Sequence, residues 1–379
     1  MPPPSPCSPQ SATLLPMATR TTTQQSITKG KTAMKDHLDA SSPPTSQTLM
    51  ETVLRQDRRQ FLQNSALLLG SSLLAAPQLA LPQNATATMT RAELDAALFP
   101  GFETMTMDTN GVSIHTLVGG SGPPVLLLHG APQSHLSWAE VAVNLAQDYT
   151  VVLTDLRGYG WSSKPPGGEN HINYSKRTMA QDNVNVMSML GFNEFNLVGH
   201  DRGGRVSRRL TLDHPQRVKN LTVLDIVPAH YLYANTTRLF VETYFHWFLF
   251  LRPAPFPENV IASTGMFITG GGTGIVGEAY AEIYKDPAAI HAMCEDYRAS
   301  ARMDMEIDQA ELAAGKKIEC PLNVLWGLNA PMGRQYDILS IWQMEATRAE
   351  GKGIPGGHTF QVDSPEATWT ELRRFLPTV

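Results

Sequence analysis

One stretch restricts the fold of this chain more than any other: Asn196-Leu197-Val198-Gly199-His200-Asp201-Arg202-Gly203-Gly204-Arg205-Val206. An apolar run of strand type enters Gly-x-Asp-x-Gly, and a helix is expected to begin near Gly203. Glycines on both sides of the central residue permit a sharp turn that lifts its side chain out of the sheet. In the usual turn of this kind the raised residue is a serine, which needs a base to remove its proton and suits attack on a carbonyl. Here it is Asp201. An ionised carboxylate displaces a leaving group from saturated carbon unaided, and the first product is an ester on the protein.

The flanking sequence fits the same architecture. From about Thr88 onward, apolar runs alternate with amphipathic stretches, the pattern of strands separated by helices in a mostly parallel sheet. Val112–Leu117, Val125–His129, Tyr149–Thr154, Glu194–Val198, Leu221–Ile226 and Leu322–Trp326 read as strands. Trp138–Ala146, Lys176–Leu190 and Ile338–Glu350 read as helices. Between Pro228 and about Asp308 the chain is rich in aromatics and departs from this alternation, which fits a helical lid inserted over the site. The expected division is a core of 88–228 and 307–379 with a lid of 229–306.

Breaking an ester on Asp201 requires a histidine to activate water, a carboxylate to orient that histidine, and N–H groups for the oxyanion. Of the eleven histidines, His358 in Gly356-Gly357-His358-Thr359 comes last, after the nucleophile, in the chain order this chemistry takes. For the carboxylate, the strand ending in Trp326 runs into Gly327-Leu328-Asn329-Ala330 with no acid, whereas Leu221–Ile226 supplies Asp225. The plain alternative for Asp225 is a loop cap. The oxyanion N–H groups are assigned to Arg202, just after the nucleophile, and to Ala131 in His129-Gly130-Ala131-Pro132. Arg202 and Arg205 stand where the turn opens into the cleft; they would keep Asp201 ionised and can hold a substrate carboxylate by bidentate hydrogen bonds. Arg208 and Arg209 are expected as an ordinary pair on the helix surface. In the lid, His246, Trp247 and Tyr297 offer three donors for a departing halide, although an aromatic stripe at helical spacing by itself reads as core.

Taken together, His129-Gly130-x-Pro132-Gln133, Asp155-Leu156-Arg157-Gly158-Tyr159-Gly160-Trp161-Ser162, Gly199-His200-Asp201-Arg202-Gly203, Leu224-Asp225-Ile226, His246-Trp247 and Met293-Cys294-Glu295-Asp296-Tyr297-Arg298-Ala299 resemble the fluoroacetate (haloacetate) dehalogenases of the α/β-hydrolase superfamily. The resemblance covers essentially all of 92–379. It implies the α/β-hydrolase fold with a small haloacid and water as reactants; no cluster of histidines or cysteines stands at ligand spacing and the chemistry needs only water, so no metal or cofactor is expected. The resemblance also implies Asp201 as nucleophile, Arg202 and Arg205 on the carboxylate, His246, Trp247 and Tyr297 on the halide, and a homodimer. Three features depart from that group. Ala131 stands where a bulky residue is common and enlarges the pocket, Gly270–Gly274 forms a glycine run in the lid, and Thr359–Asp363 is less acidic than in close relatives.

Two other readings share parts of this pattern. An epoxide hydrolase also uses an aspartate nucleophile but needs two lid tyrosines, for which Tyr231, Tyr233, Tyr244, Tyr280, Tyr284 and Tyr297 are candidates. The paired arginines argue against it, since an epoxide has no carboxylate to clamp. A non-catalytic binding protein on the same scaffold should have lost a member of the catalytic set.

Among residues 1–48, 24 are Pro, Ser or Thr, too few apolar groups to offset ordering, so 1–49 is expected to be disordered or a mis-called leader. Arg58-Arg59-Gln60-Phe61-Leu62 followed by an apolar stretch to Leu81 and Ala85-Thr86-Ala87 reads as a twin-arginine signal over 50–87. That implies export to the periplasm, or a cytoplasmic protein if the leader is not used, with no stable membrane span in the mature chain. The first 87 residues hold seven Lys and Arg against four Asp and Glu, so with a net charge of −5 for the whole chain the remainder carries −8 and is a poor partner for nucleic acid. Three cysteines cannot form a disulfide framework, and Cys294 and Cys320 are expected as buried apolar residues.

Overall fold

The apolar runs Pro124–Leu128 (β3), Thr150–Thr154 (β4) and Phe195–His200 (β5) are buried along nearly their whole length, as strands covered on both faces must be. In the computed structural model, which describes residues 89–377, they form the centre of an eight-stranded sheet. The strand order is β1-β2-β4-β3-β5-β6-β7-β8, with β1 Glu103–Thr109, β2 Val112–Gly120, β6 Val218–Leu224, β7 Leu322–Gly327 and β8 Ala349–Ile354. β2 pairs antiparallel with β1 and β4, and every other pairing is parallel. The sheet is the mostly parallel α/β type expected.

Helices flank it. Arg91–Leu98 (α1) leads into β1, Ala139–Leu145 (α2) joins β3 to β4, Lys176–Met189 (α3) precedes β5, and Asp201–Asp213 (α4) links β5 to β6. Seven helices lie between β6 and β7: Ala229–Ala234 (α5), Arg238–Thr243 (α6), His246–Leu249 (α7), Phe256–Thr264 (α8), Gly274–Ile283 (α9), Pro287–Ser300 (α10) and Met303–Ala313 (α11). α11 runs straight through position 306, where the sequence placed a boundary. Pro331–Gln335 (α12), Ile338–Glu345 (α13), Phe360–Asp363 (α14) and Pro365–Phe375 (α15) complete the chain.

Two details differ from the sequence reading. β1 had no expected counterpart; its residues alternate between exposed and half-buried on the sheet's edge. The helix expected over Ile338–Glu350 ends at Glu345, and its tail enters β8. Gly351 and Gly353 weaken the strand signal, and parallel pairing with β7 satisfies the backbone there. Cys294 is buried and Cys320 half-buried, both as free thiols. Among the described residues no helix is long and apolar enough to cross a membrane. The leader of 1–49 and the signal-type segment of 50–87 lie outside the described residues.

Candidate active site

The β5–α4 turn is built by close backbone approach. A Cβ on Gly203 would stand 2.4 Å from the carbonyl oxygens of Leu128 and His129, and one on Gly199 would stand 2.3 Å from Ser207 Oγ. Only glycine lets α4 start this near the end of β3. Asp201 takes the first helical position with φ of 44°, a left-handed conformation that costs a non-glycine residue about 1–2 kcal/mol. Its Oδ2 accepts a hydrogen bond of 3.1 Å from the Ala131 N–H. One of the two expected oxyanion donors therefore already meets the carboxylate that would carry the ester.

Asp201 is 7% exposed. Burial would raise its pKa, but the charge of His358 and those of Arg205 and Arg202 outweigh burial and hold it below the usual carboxylate range. The arginines contribute as expected, with His358 ahead of them.

His358 lies in the loop between β8 and α14. Its Nδ1–H donates to Asp225 Oδ2 at 2.6 Å, which leaves the Nε2 lone pair as the free end of the ring. Asp225 follows β6 directly, has φ of 51°, is fully buried, and accepts from the Gly327 N–H through Oδ1 at 3.0 Å. That second contact ties the carboxylate to the end of β7, the position where the sequence offers no acid. Burial disfavours the imidazolium of His358, and the hydrogen bond and charge of Asp225, with the charge of Asp201, more than offset it, so its pKa is raised.

His200, next to the nucleophile in the chain, has a structural place. Its Nε2–H donates to the His358 carbonyl at 2.8 Å, and its Nδ1 accepts from Gln361 Nε2 at 3.1 Å. Burial pushes its pKa down to about 3, so it stays neutral. It fastens the backbone that carries His358. His129 likewise stays neutral, with its Nε2 accepting from the Leu156 N–H at 3.0 Å.

The two arginines differ from the expected forks. Arg202 is fully buried and spends Nε and Nη2 on Asp296 Oδ2 and Oδ1 at 2.9 and 2.7 Å, with Nη2 also reaching the Asp296 carbonyl at 2.9 Å. Its Nη1 has no partner. Arg205 donates from Nη1 to the Val227 carbonyl at 2.8 Å, and its Nε is unpartnered. A bidentate grip by Arg202 on another carboxylate is therefore blocked. Arg208 and Arg209, expected on the surface, are buried instead, because α11 and α13 bring acids to them. Arg208 pairs with Asp308 and Glu345, and Arg209 with Asp213, Asp308 and Glu311.

The three lid residues gather around these arginines. The Arg202 guanidinium lies 4.2 Å from the Tyr297 ring centroid, and that of Arg205 lies 4.7 Å from the Trp247 ring. Tyr297 is 5.8 Å, centroid to centroid, from both His246 and Trp247. Burial pulls His246 down to about 4, leaving it a neutral ring with one N–H to donate. Sequence reasoning missed Asp296, Gln361 and Gly327, since nothing in their local motifs marks a partner over a hundred residues away or nearly so. The hydroxyls of Tyr233 and Tyr244 are also buried without a partner.

Among the described residues one group, Asp95, His115 and His135, has ligand atoms close enough for a metal. His135 already spends both ring nitrogens on carboxylates, 2.9 Å to Asp155 and 3.1 Å to Asp95, which are hydrogen-bond lengths.

A mostly parallel sheet whose fifth strand raises a carboxylate beside a histidine–carboxylate pair defines an α/β-hydrolase, and residues 123–275 match the family of the alpha/beta hydrolase fold. A fluoroacetate dehalogenase from Burkholderia sp is 43% identical, with 74% of this chain and 95% of that protein aligned. A soluble epoxide hydrolase from Corynebacterium sp. (strain C12) is 30% identical over 71% of this chain and 95% of its own. A crystal structure of an alpha/beta hydrolase from Nostoc sp PCC 7120 superposes with a TM-score of 0.70 at 44% identity, covering 72% of this chain and 97% of that one. The chain belongs to the fluoroacetate dehalogenase family of α/β-hydrolases, enzymes that act on carbon–halide bonds.

Proposed function

We propose that the protein hydrolyses small haloacids, fluoroacetate or chloroacetate, to glycolate and halide through an ester on Asp201. The observation that carries this reading is the pair of buried arginines, Arg202 and Arg205, on the same helical turn as an ionised Asp201. Substrate carboxylate meets the arginines, and an oxygen of Asp201 attacks the carbon that bears the halogen. The new C–O bond forms as the C–X bond breaks, and the halide leaves toward the Trp247 indole N–H, the Tyr297 hydroxyl and the His246 ring. His358 Nε2 then takes a proton from water, whose oxygen adds to the Asp201 ester carbonyl. The N–H groups of Ala131 and Arg202 carry the oxyanion, the proton held by His358 passes to the departing oxygen of glycolate, and Asp201 returns as a carboxylate by releasing the remaining water proton.

In this reading the helices between β6 and β7 are the lid, and Ala131 leaves more room beside the reacting carbon than a bulky residue would. The protein works as a homodimer, needs no cofactor, and is exported by the Arg58–Arg59 leader. Replacing both arginines of that leader with lysine is expected to hold the protein in the cytoplasm, read by cell fractionation.

The test is halide release from the purified protein given fluoroacetate and chloroacetate in parallel, with Asp201→Asn as the blank. Fluoride release that the variant lacks supports the full reading. Chloride alone keeps the ester mechanism and removes the fluoride-specific role of the lid donors. The unpartnered Tyr233 and Tyr244 hydroxyls favour an epoxide as the second substrate class, so release of neither halide sends the test to epoxide opening.

A further inference from the structure

Asp296 sits on α10, one residue before Tyr297, and has no exposed surface. Five donated hydrogen bonds converge on it. Arg202 supplies three, the Tyr159 hydroxyl donates to Oδ2 at 2.6 Å, and the Lys176 ammonium bonds Oδ1. The Lys176 ammonium also stands 4.0 Å from Asp304 Oδ2, and its backbone N–H donates to Asp304 Oδ1 at 2.9 Å, so two cations and two carboxylates alternate behind the site. An arginine–carboxylate pair buried this deeply is weak evidence for stability, because desolvation cancels much of the attraction. What it does determine is geometry. With Nε and Nη2 engaged and Tyr297 stacked against its face, the guanidinium of Arg202 has one nitrogen left.

We propose that Asp296 is the positioning residue of the carboxylate clamp: it holds Arg202 so that Nη1 alone meets the substrate, while Lys176 and Tyr159 hold Asp296. Arg205 has likewise lost Nη1 to the Val227 carbonyl. The clamp therefore takes a carboxylate by separate contacts from two arginines rather than by one fork, and both guanidinium planes are set before substrate arrives. Because Asp296 and Tyr297 are neighbours on α10, the turn that aims the clamp also carries a halide donor. A shift of α10 disturbs both ends of the substrate at once. This inference rests on the haloacid reading for its substrate, but not for its geometry.

The experiment compares wild type with Asp296→Asn in two measurements, turnover of chloroacetate and inhibition by acetate, which offers the clamp a carboxylate and nothing to displace. KM for chloroacetate and the inhibition constant of acetate are expected to rise together by about tenfold or more, the loss of one charged hydrogen bond, with kcat changed less than about threefold. A general structural defect would lower kcat or the active fraction without a matched rise in both constants, and that result, or an unchanged acetate constant, overturns the proposal. Should Asp296→Asn not fold, Tyr159→Phe removes a single tether and is expected to raise both constants about threefold; no change in either overturns the proposal equally. If the wild type releases no halide from any haloacid, the functional reading falls while the clamp is still decided by calorimetric titration of acetate into wild type and Asp296→Asn.

Discussion

At Asp201 burial and charge pull in opposite directions, and charge wins, so the nucleophile is ionised well below neutral pH. His358 faces the reverse demand, since it must be neutral to take a proton from water and yet Asp225 raises its pKa. The acidic limb of the pH profile therefore belongs to His358. Below its raised pKa the ring is protonated and the ester cannot be hydrolysed; as pH climbs through that value kcat recovers. We expect kcat to fall tenfold per pH unit on the acid side, with a midpoint above the ordinary imidazole value of about 6.5. His358→Gln separates the two halves of the reaction. Alkylation of Asp201 needs no base, so this variant should release about one halide per active site and then stop. Mass spectrometry of the Asp201 peptide should show the trapped carboxymethyl ester. A variant that releases no halide at all would mean that His358 acts before the ester forms.

On the scale of elements, α4 carries most of the site and is held from two sides. Its first five residues present Asp201, Arg202 and Arg205, and Arg208, less than a turn further on, fastens it to Asp308 on α11 and Glu345 on α13. Arg208→Met leaves both acids buried with less compensation: Glu345 keeps His230, and Asp308 keeps His230 and Arg209. The expected cost is about 3 kcal/mol, read as a lower urea midpoint at unchanged slope. A midpoint equal to wild type would mean that the methionine packs well enough to replace the ion pairs. This pair also marks where the sequence stops being legible. The turn at Asp201 and the buried strands on either side follow from local pattern, because glycine spacing and apolar runs encode short-range geometry, and Asp225 and His358, 133 residues apart, are legible only through their order along the chain. Partners such as Asp296 for Arg202, or Glu345 for Arg208, do not, since they arrive from helices 94 and 137 residues away. β8 was hidden for a different reason: Gly351 and Gly353 dilute a strand signal that only the β7 edge makes decisive.

For the molecule as a whole, the first described helix is tied to the sheet by charge. Asp95 on α1 faces His115 on β2 at 3.2 Å and His135, just after β3, at 3.1 Å, while Asp155, after β4, takes the other nitrogen of His135 at 2.9 Å. Asp155 also accepts from the Trp161 N–H at 2.8 Å, which joins the following loop to the same knot. Burial opposes the charged form of His135, but the charges and hydrogen bonds of Asp155 and Asp95 prevail and raise it to about 9. Asp95 moves the other way, to about 2, as its bonds to His115 and His135 outweigh burial. The signs fix a window. The raised histidine contributes its full stability below about pH 6.5 and loses it as pH rises through 9, whereas the lowered aspartate contributes above about pH 4 and loses it as pH falls through 2. The knot is therefore strongest at about pH 4–6.5. His135→Gln is expected to lower unfolding free energy there by on the order of 3 kcal/mol, and by clearly less at pH 9 and above. Urea denaturation of both proteins across this range checks it; a gap that widens with rising pH would mean that His135 is neutral in the folded state. Chelator treatment is expected to leave the wild-type midpoint unchanged, because the imidazolium already neutralises the carboxylates that a cation would need. A fall in midpoint with chelator, restored by zinc, would replace the proton between Asp95 and His135 with a metal.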